Sequence, residues 1–402
     1  MTNWVRVPLS KIIQPRKEKE IPSSFPDLPY IGMENVSRDI GIINSLGISA
    51  RYKSSAPRVF KGDVLYGRLR PYLNKVAIAP SEAFASGEFI VMPPSEDVLG
   101  KFLQFRLLSQ DFVEFAGTLD TGDRPRVSWE QISKFQIDLP PVKEQHKIIK
   151  LLEDHLSRLD AALADVKEVK VKAAQFRRSL LQSAFTENLG PGATHLMTDW
   201  NTCKLSDVVE LVSGFAYKSA DWQDSGVPVL KITNVRNGRV ALEGCSYISK
   251  KLADESVNFQ VKKGDLLITL TGEIGATGFY SQDFEARLNQ RVGKIVIKNE
   301  REVDVKFVAY FLESPQAREI MWATAKGIAQ ANISPKEVLN LVVPLPPLEI
   351  QKKIVEILES HLSRLDISVS MADDMEKQST ALRRALFQAA FTGQLTNEVI
   401  SV

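Results

Sequence analysis

Residues 139–160 read "LPPVKEQHKIIKLLEDHLSRLD", and residues 345–366 repeat the segment as "LPPLEIQKKIVEILESHLSRLD". The same register, an offset of 206 residues, places "RRSLLQSAFTENL" from Arg177 on "RRALFQAAFTGQL" from Arg383. Of the 51 aligned positions 22 are identical, far more than chance gives. The chain is therefore built from two copies of one unit.

A fainter similarity surrounds this segment. The stretch "FKGDVLYG" from Phe60 resembles "VKKGDLLIT" from Val261, and "RVSWEQISKFQIDLPP" from Arg126 parallels "NISPKEVLNLVVPLPP" from Asn332. Each copy thus consists of a variable domain and a helical segment, the well-kept segment, whose sequence is similar in both copies. We predict a first variable domain at 1–140, a first helix at 141–190, a second variable domain at 191–346, and a second helix with a C-terminal tail at 347–402.

The well-kept segment has the pattern of a long helix. Two prolines open it, and no Pro or Gly follows until Gly190. About 40 helical residues would extend about 60 Å. Apolar residues recur at alternating steps of three and four, which is typical of a coiled-coil seam, and the second copy is the obvious partner for the first. The predicted seam is Ile148, Leu152, His155, Leu159, Ala162, Val166, Val169, Ala173, Phe176 and Leu180, with Ile354, Leu358, His361, Leu365, Ser368, Ala372, Met375, Ser379, Leu382 and Leu386.

Two of the four histidines fall at the same place in the repeat, within "HLSRLD". We interpret His155 and His361 as polar seam residues that set the register of the helices. A metal site is disfavoured because the neighbouring seam positions supply no further ligands. A pH switch is the other alternative.

The variable domains have a mixed pattern. Short runs rich in β-branched residues, such as "GEFIVMPP" and "GVPVLKITNV", are separated by Gly, Pro and Asn, which predicts strands with long loops. A helical stretch follows at matching places in each copy. The expected fold class is α+β, with the domain repeated and a long helix after each copy.

Composition excludes several classes of protein. The net charge is +2, so it does not by itself require a nucleic-acid partner. Cys203 and Cys245 are too few for a disulfide framework or a zinc site of cysteine pairs. No apolar run is long enough for a membrane helix and no signal peptide is recognisable, which predicts a cytoplasmic protein.

Sequence patterns of catalytic sites are also missing. No Walker A loop, nucleophile elbow or zinc-protease motif occurs. The glycine-spaced "TGEIGATG" from Thr271 follows a strand in a β-rich domain, which favours a hairpin turn over a cofactor loop. No catalytic residue and no metal site are predicted.

The duplicated "LPP" opening with Gln145 and Gln351, the heptad helices and the variable domain before each helix resemble the specificity subunit of type I restriction-modification systems. The resemblance implies two target recognition domains, each reading half of a bipartite DNA site, and an antiparallel coiled coil that sets the spacer between the halves. It implies two copies of a modification methyltransferase as partners, and restriction subunits as further possible partners. S-adenosylmethionine, and ATP with Mg²⁺, would then belong to partner subunits.

Loop residues with basic, amide or hydroxyl side chains are the candidate DNA contacts, with a solvated, salt-bridged surface as the alternative for each. Gln330 and Asn332 are the preferred base readers, because an amide makes two hydrogen bonds to adenine. Different residues at matched positions predict an asymmetric target. The candidates are Arg68, Arg70, Tyr72, Lys75, Arg124 and Arg126 in the first domain, and Lys218, Arg236, Thr269, Thr271, Asn289, Gln290, Arg291, Lys326, Gln330 and Asn332 in the second.

Two other functions are compatible with the sequence. The main alternative is a coiled-coil scaffold whose variable domains bind proteins without contacting DNA. A solitary nuclease is a more distant alternative, because no spacing of carboxylates or lysines supports one.

Overall fold

The computed structural model describes residues 4–120, 122–186, 200–236, 238–327, 331–392 and 395. The chain forms two compact units, one of residues 1–167 with 373–402 and the other of residues 168–372. Each unit contains one variable domain and a part of both long helices. The four-part division expected from the sequence remains a prediction. In the described ranges, no helix is long and apolar enough to cross a membrane.

The first unit combines three small sheets with short helices. A parallel pair, Pro29–Ile31 with Ala83–Ala85, lies inside an otherwise antiparallel five-stranded sheet. The strands are Val5–Pro8, Lys19–Glu20, Pro29–Ile31, Gly47–Ile48, Ala56–Val59, Val64–Gly67, Val76–Ile78, Ala83–Ala85, Phe89–Met92 and Gln136–Leu139. The short helices are Leu9–Ile12, Gly100–Leu108, Gln110–Gly117 and Trp129–Ile132.

The second unit repeats this plan. Val227–Leu230 pairs in parallel with Ala286–Leu288, as in the first unit, and Gly238–Val240 pairs in parallel with Thr277–Phe279. Two-, four- and six-stranded sheets are present. The strands are Asn201–Lys204, Val209–Ser213, Val227–Leu230, Val235–Arg236, Gly238–Val240, Ser246–Ile248, Gln260–Val261, Leu266–Thr269, Thr277–Phe279, Ala286–Leu288, Val292–Ile297 and Val342–Leu345. The short helices are Leu205–Val208, Lys250–Glu255, Val305–Glu313, Pro315–Thr324 and Pro335–Leu339. The predicted α+β class and its duplication are therefore confirmed.

Both predicted long helices are present, at Val142–Ala184 and Leu348–Phe391. In the first unit, Ile148 and Leu152 share a buried core with Phe387 and Ala390, so the two helices run antiparallel there. Asp160 accepts a hydrogen bond from the Arg383 guanidinium of the opposite helix. The helix pair thus closes the core of the variable domain rather than standing apart from it.

The second unit contains the repeat-equivalent arrangement. Leu181 and Ala184 share a core with Ile354 and Leu358, again antiparallel. Arg177 lies 3.4 Å from Asp366, which matches the pair of Arg383 and Asp160 at an offset of 206 residues. The repeated "HLSRLD" therefore ends in the carboxylate that pairs with the repeated "RR" of the other helix.

Eight of the twenty predicted seam residues are wrong, and the inward position is the next residue along the helix. Leu156 and Leu362 are buried, whereas the adjacent His155 and His361 are exposed. The same shift places Arg383, 9% exposed, inward in place of Leu382, 51% exposed. A shift of one residue along a helix turns the side chain by about 100°. The spacing of threes and fours alone is compatible with a seam through either residue.

The members of the predicted seam fall into two groups. Ile148, Leu152, Val166, Ala173, Ile354, Leu358, Ala372 and Ser379 are buried, and Leu159, Leu180, Leu365 and Leu386 are half-buried. His155, Ala162, Val169, Phe176, His361, Ser368, Met375 and Leu382 are exposed, so their placement in the seam was wrong. The interpretation of the histidines as buried register-setters fails with it, although the Phe176 ring lies 6.4 Å from that of His361 at the edge of the seam.

The start of each long helix is joined to its domain by a buried glutamine. In the first unit the Gln145 side chain accepts from the backbone N–H of Leu99 at 2.9 Å and donates to the carbonyls of Asp97 and Pro140, at 2.7 and 2.9 Å. Gln351 makes the same three bonds, to Asp304, Glu302 and Pro346. This explains why a glutamine stands four residues after "LPP" in both copies.

Candidate nucleic-acid interface

Each variable domain has a cleft, and the two clefts lie at equivalent places in the repeated fold. Both domains use the loop after a buried strand, which is Val64–Gly67 in the first and Leu266–Thr269 in the second. The first cleft, of about 900 Å³, includes Lys17, Arg68, Gly87, Ser128 and Trp129 in its lining. The second, of about 450 Å³, includes Ser213, Leu270, Gln290, Ser334 and Pro335.

Matching backbone hydrogen bonds establish which positions are equivalent. The N–H of Arg68 donates to the carbonyl of Glu88, and the N–H of Leu270 donates to that of Arg291. An antiparallel bridge joins Leu69 to Arg126, and the equivalent bridge joins Thr271 to Asn332. The pairs Glu88 with Arg291 and Arg126 with Asn332 therefore occupy the same two positions in the repeats. The structure brings the two predicted loops together in each domain.

Arg126 is held beside the first cleft by two carboxylates. Its guanidinium lies 2.6 Å from Glu88, and its backbone N–H donates to the Asp120 carboxylate at 2.7 Å. The N–H groups of Arg126 and Gly122 lower the pKa of Asp120, so this carboxyl stays charged. Half of the Arg126 side chain remains exposed. Asp120 thus holds the backbone of Arg126, and Glu88 holds one nitrogen of its guanidinium, while the side chain stays half exposed.

Asn332 is held in a different way in the second cleft. The Thr271 hydroxyl donates to Asn332 Oδ1 at 2.8 Å, and the Asn332 backbone forms two hydrogen bonds with that of Lys326. Thr271 is buried, whereas Asn332 is exposed. Gln290 and Arg291 line the same cleft. Four of the predicted DNA contacts thus converge in the second domain.

Arg70 has an unusual backbone conformation. Its φ is 51°, in the left-handed region, and the equivalent residue of the second domain is Gly272 with φ 75°. A side chain in that region costs about 1–2 kcal/mol, which glycine avoids. Strained residues of this kind cluster at functional sites. Arg70 is exposed at the tip of the loop.

The remaining predicted contacts differ in accessibility. Tyr72 and Arg124 are exposed, whereas Lys75 donates to the Met33 carbonyl at 2.6 Å, within its own domain. Arg68 is half-buried, and its Nε has no hydrogen-bond partner among the residues that the structure describes. Lys218 and Arg236 are exposed but do not line the second cleft, and Asn289 lines an adjoining one. Gln330 lies outside the described residues.

Thr269 contradicts the prediction. Its side chain is fully buried, and its hydroxyl donates to the Glu273 carbonyl and accepts from the Ala276 N–H at 3.1 Å. It therefore supports the turn of the predicted hairpin and is not available to a ligand in this conformation.

Sequence reasoning missed Glu88, Asp120 and Lys17, which lie beside or line the first cleft. Asp120 could have been found, because the offset of 206 residues aligns it with Lys326, a predicted contact. Glu88 carried no such signal, since a lone acidic residue after a strand is common on any surface. In the described ranges, no group of three or more His, Cys, Asp or Glu side chains is arranged to hold a metal ion.

Comparisons with known proteins match both copies. The model of the type I restriction modification DNA specificity domain matches residues 1–168 and 197–369. The MjaVIII specificity subunit of a type I restriction enzyme from Methanocaldococcus jannaschii is 28% identical over 65% of this chain and 63% of its own length. The EcoBI specificity subunit from Escherichia coli is 24% identical over 65% of this chain and 58% of its own length. The aligned part spans about three fifths of each of these curated relatives.

Solved structures share the fold. One chain, from work on the assembly and conformational transition of the type I R-M system, has a TM-score of 0.79 at 20% identity, over 97% of this chain and 98% of its own. The HsdS subunit from Thermoanaerobacter tengcongensis has a TM-score of 0.57 at 20% identity, over 97% of each chain. At this identity the likeness concerns the fold alone.

Proposed function

Because this chain belongs to the family of type I restriction modification DNA specificity domains and carries the domain twice, we propose that it is a non-catalytic DNA specificity subunit. Each variable domain reads one half of an asymmetric bipartite site in double-stranded DNA. The antiparallel helices set the length of the unread spacer. A cytoplasmic location, with access to DNA, is part of this proposal.

The observation that carries the proposal is the duplicated cleft with different residues in or beside it. The scaffold of backbone hydrogen bonds is the same in both domains, but Arg68, Glu88 and Arg126 of the first are replaced by Leu270, Arg291 and Asn332 in the second. A shared scaffold with different polar side chains suits two sites of the same kind with different targets. Arg and Asn are side chains that read base edges through paired hydrogen bonds.

The proposed partners supply the chemistry. Two copies of a modification methyltransferase bind the helical part of the chain and provide the S-adenosylmethionine site, and restriction subunits that use ATP with Mg²⁺ join the complex in systems that cleave DNA. This chain contributes target choice and the placement of its partners. Stoichiometry and cofactors are both part of the proposal.

Exposed apolar residues on the helices support two equivalent docking sites. In the second unit Val169 and Phe176 are 46% and 48% exposed, and in the first unit Met375 and Leu382 are 52% and 51% exposed. The two pairs are related by the offset of 206 residues. A helix that has already buried one stripe rarely exposes a second one without a partner to cover it. One such surface in each unit fits one methyltransferase per unit.

A charge on either surface should remove one partner. We expect Phe176→Asp to reduce the complex from two methyltransferase copies to one, and the further change Leu382→Asp to abolish assembly, because each buries an unpaired carboxylate at a contact. Native mass spectrometry of the purified complex measures this stoichiometry. Lys167→Asp, on the opposite side of the first long helix, is the control and should keep two copies. Full assembly by the double variant would contradict the docking sites.

Arg70 offers a test of the first domain without loss of stability. Replacement by glycine relieves the left-handed conformation, so we expect Arg70→Gly to unfold at an unchanged or higher denaturant concentration, with a gain of at most about 1 kcal/mol. DNA affinity should nevertheless fall, because a phosphate or base contact is lost. Titration of the assembled complex with a target duplex measures the second effect. Unchanged affinity would remove Arg70 from the interface.

The central test is to co-express the chain with its methyltransferase and map methylated adenines. A bipartite motif with an unread spacer is the expected result, and a contiguous motif or no methylation would count against the proposal. Duplex binding by the complex should weaken with added salt, because phosphate contacts release counterions. A protein-binding scaffold without DNA contact would show no such binding.

A further inference from the structure

One exposed position lies beside the first cleft and lines the second, and it carries a different side chain in each domain. Arg126 and Asn332 form the equivalent antiparallel bridges, and each precedes a capped short helix, which starts after Ser128 or Ser334. Gln290 also lines the second cleft, but the equivalent residue of the first domain is Gly87, which has no side chain. The position of Arg126 and Asn332 is therefore one at which both domains can present a base-reading group.

Resting on the proposed function, we propose that Arg126 reads a guanine and Asn332 reads an adenine, and that Glu88 and Thr271 are the positioning residues that orient them. The residues at this one structural position would then each read one base of their half-site. The asymmetry of the target follows in part from this single replacement.

Arg126 has the donors that guanine requires. A guanidinium carries five N–H groups, and the hydrogen bond from Nη2 to Glu88 uses one of them. The others can donate in parallel to N7 and O6, the two acceptors that guanine presents in the major groove. The Glu88 carboxylate lies on one side of the Arg126 guanidinium and limits its rotation, so the remaining N–H donors have a preferred direction.

Asn332 has the donor and acceptor that adenine requires. Thr271 occupies one lone pair of Oδ1, which leaves the second lone pair and both Nδ2 hydrogens. An Oδ1 that accepts from N6–H and an Nδ2 that donates to N7 form the paired readout of adenine. The contact with the Thr271 hydroxyl holds one end of the Asn332 amide and limits the rotation of this side chain, so the other end has a preferred direction.

The first experiment transplants the reading pair. The full chain carrying Arg291→Glu and Asn332→Arg, in complex with the methyltransferase, presents the first domain's pair in the second domain. We expect one adenine of the second half-site to become guanine in the mapped motif, with about 10- to 100-fold less methylation at the original sequence. The first half-site and the spacer should not change. An unchanged second half-site would overturn the assignment.

The second experiment isolates the positioning role. Thr271→Val keeps the shape of the side chain without its hydroxyl, whereas Thr271→Ser keeps the hydroxyl. We expect the Val variant to lose at least about 10-fold of its discrimination at that one base, and the Ser variant to retain it. Equal fidelity in both variants, or errors spread over both half-sites, would overturn the role of Thr271. If the wild-type complex directs no bipartite methylation, the proposed function fails; a bipartite wild-type motif with unresponsive variants sinks only this inference.

Discussion

A variant that lacks residues 164–170 and 373–379 is expected to methylate a site whose spacer is about three base pairs shorter, with both half-sites unchanged. Seven helical residues extend about 10.5 Å, and a base pair rises about 3.4 Å along DNA. If the helices act as the ruler of the proposed function, the spacer should shorten by this ratio. An unaltered spacer would contradict the proposal that the helices set the spacer length.

The structure determines which residues to remove. A whole heptad keeps the half-buried Leu163 and the buried Ala173 in phase, since the seam repeats every seven residues. Both deletions leave in place the ion pair of Asp160 with Arg383 in the first unit and that of Arg177 with Asp366 in the second. The control removes 164–170 alone, which leaves the helices unmatched and should lower stability without giving a new defined spacer.

The largest loss of stability is expected from the buried glutamines. Gln145→Ala leaves the N–H of Leu99 and the carbonyls of Asp97 and Pro140 without their partner. The bond to the Pro140 carbonyl is buried, whereas those to Leu99 and Asp97 are partly buried. A buried group without a partner costs about 1–3 kcal/mol, so a loss of about 1–3 kcal/mol is expected from a total that is usually about 5–15 kcal/mol. Gln351→Ala should act equally on the second unit. Denaturant unfolding followed by circular dichroism measures both.

Two further variants sharpen this test. Gln378→Ala, at an exposed position of the second long helix, should cost less than about 0.5 kcal/mol. Gln145→Glu keeps an oxygen toward Leu99 but places the other against two carbonyls, so it should be destabilising despite its similar size. A Gln145→Ala variant as stable as Gln378→Ala would show that the buried amide does not join the helix to its domain.

The helices show how far periodicity can predict structure. Length and start are local properties, so Val142–Ala184 and Leu348–Phe391 agree with the pattern of prolines and apolar residues. The side that faces the partner is not local. The seam could pass through His155 or Leu156, and packing against the other helix selects Leu156, because the leucine loses more by exposure than the histidine.

The candidate interface shows the same limit. The loops around Arg126 and Asn332 could be chosen from residue type and from their match in the repeat. Thr269 was chosen by the same criterion and is buried, because its strand, Leu266–Thr269, is covered on both faces, which packing alone decides.

The sequence by itself determined that the chain is a duplication, that a long helix follows each variable domain, and that Arg126 and Asn332 stand at matched positions. These conclusions rest on identity and spacing along the chain, which need no contact between distant residues. The tertiary structure alone decided that Leu156 rather than His155 is buried, that Glu88 holds Arg126 across 38 residues, and that Thr271 holds Asn332 across 61. Such pairs form where strands and loops far apart in sequence pack together, and their partners therefore leave no periodic trace in the sequence.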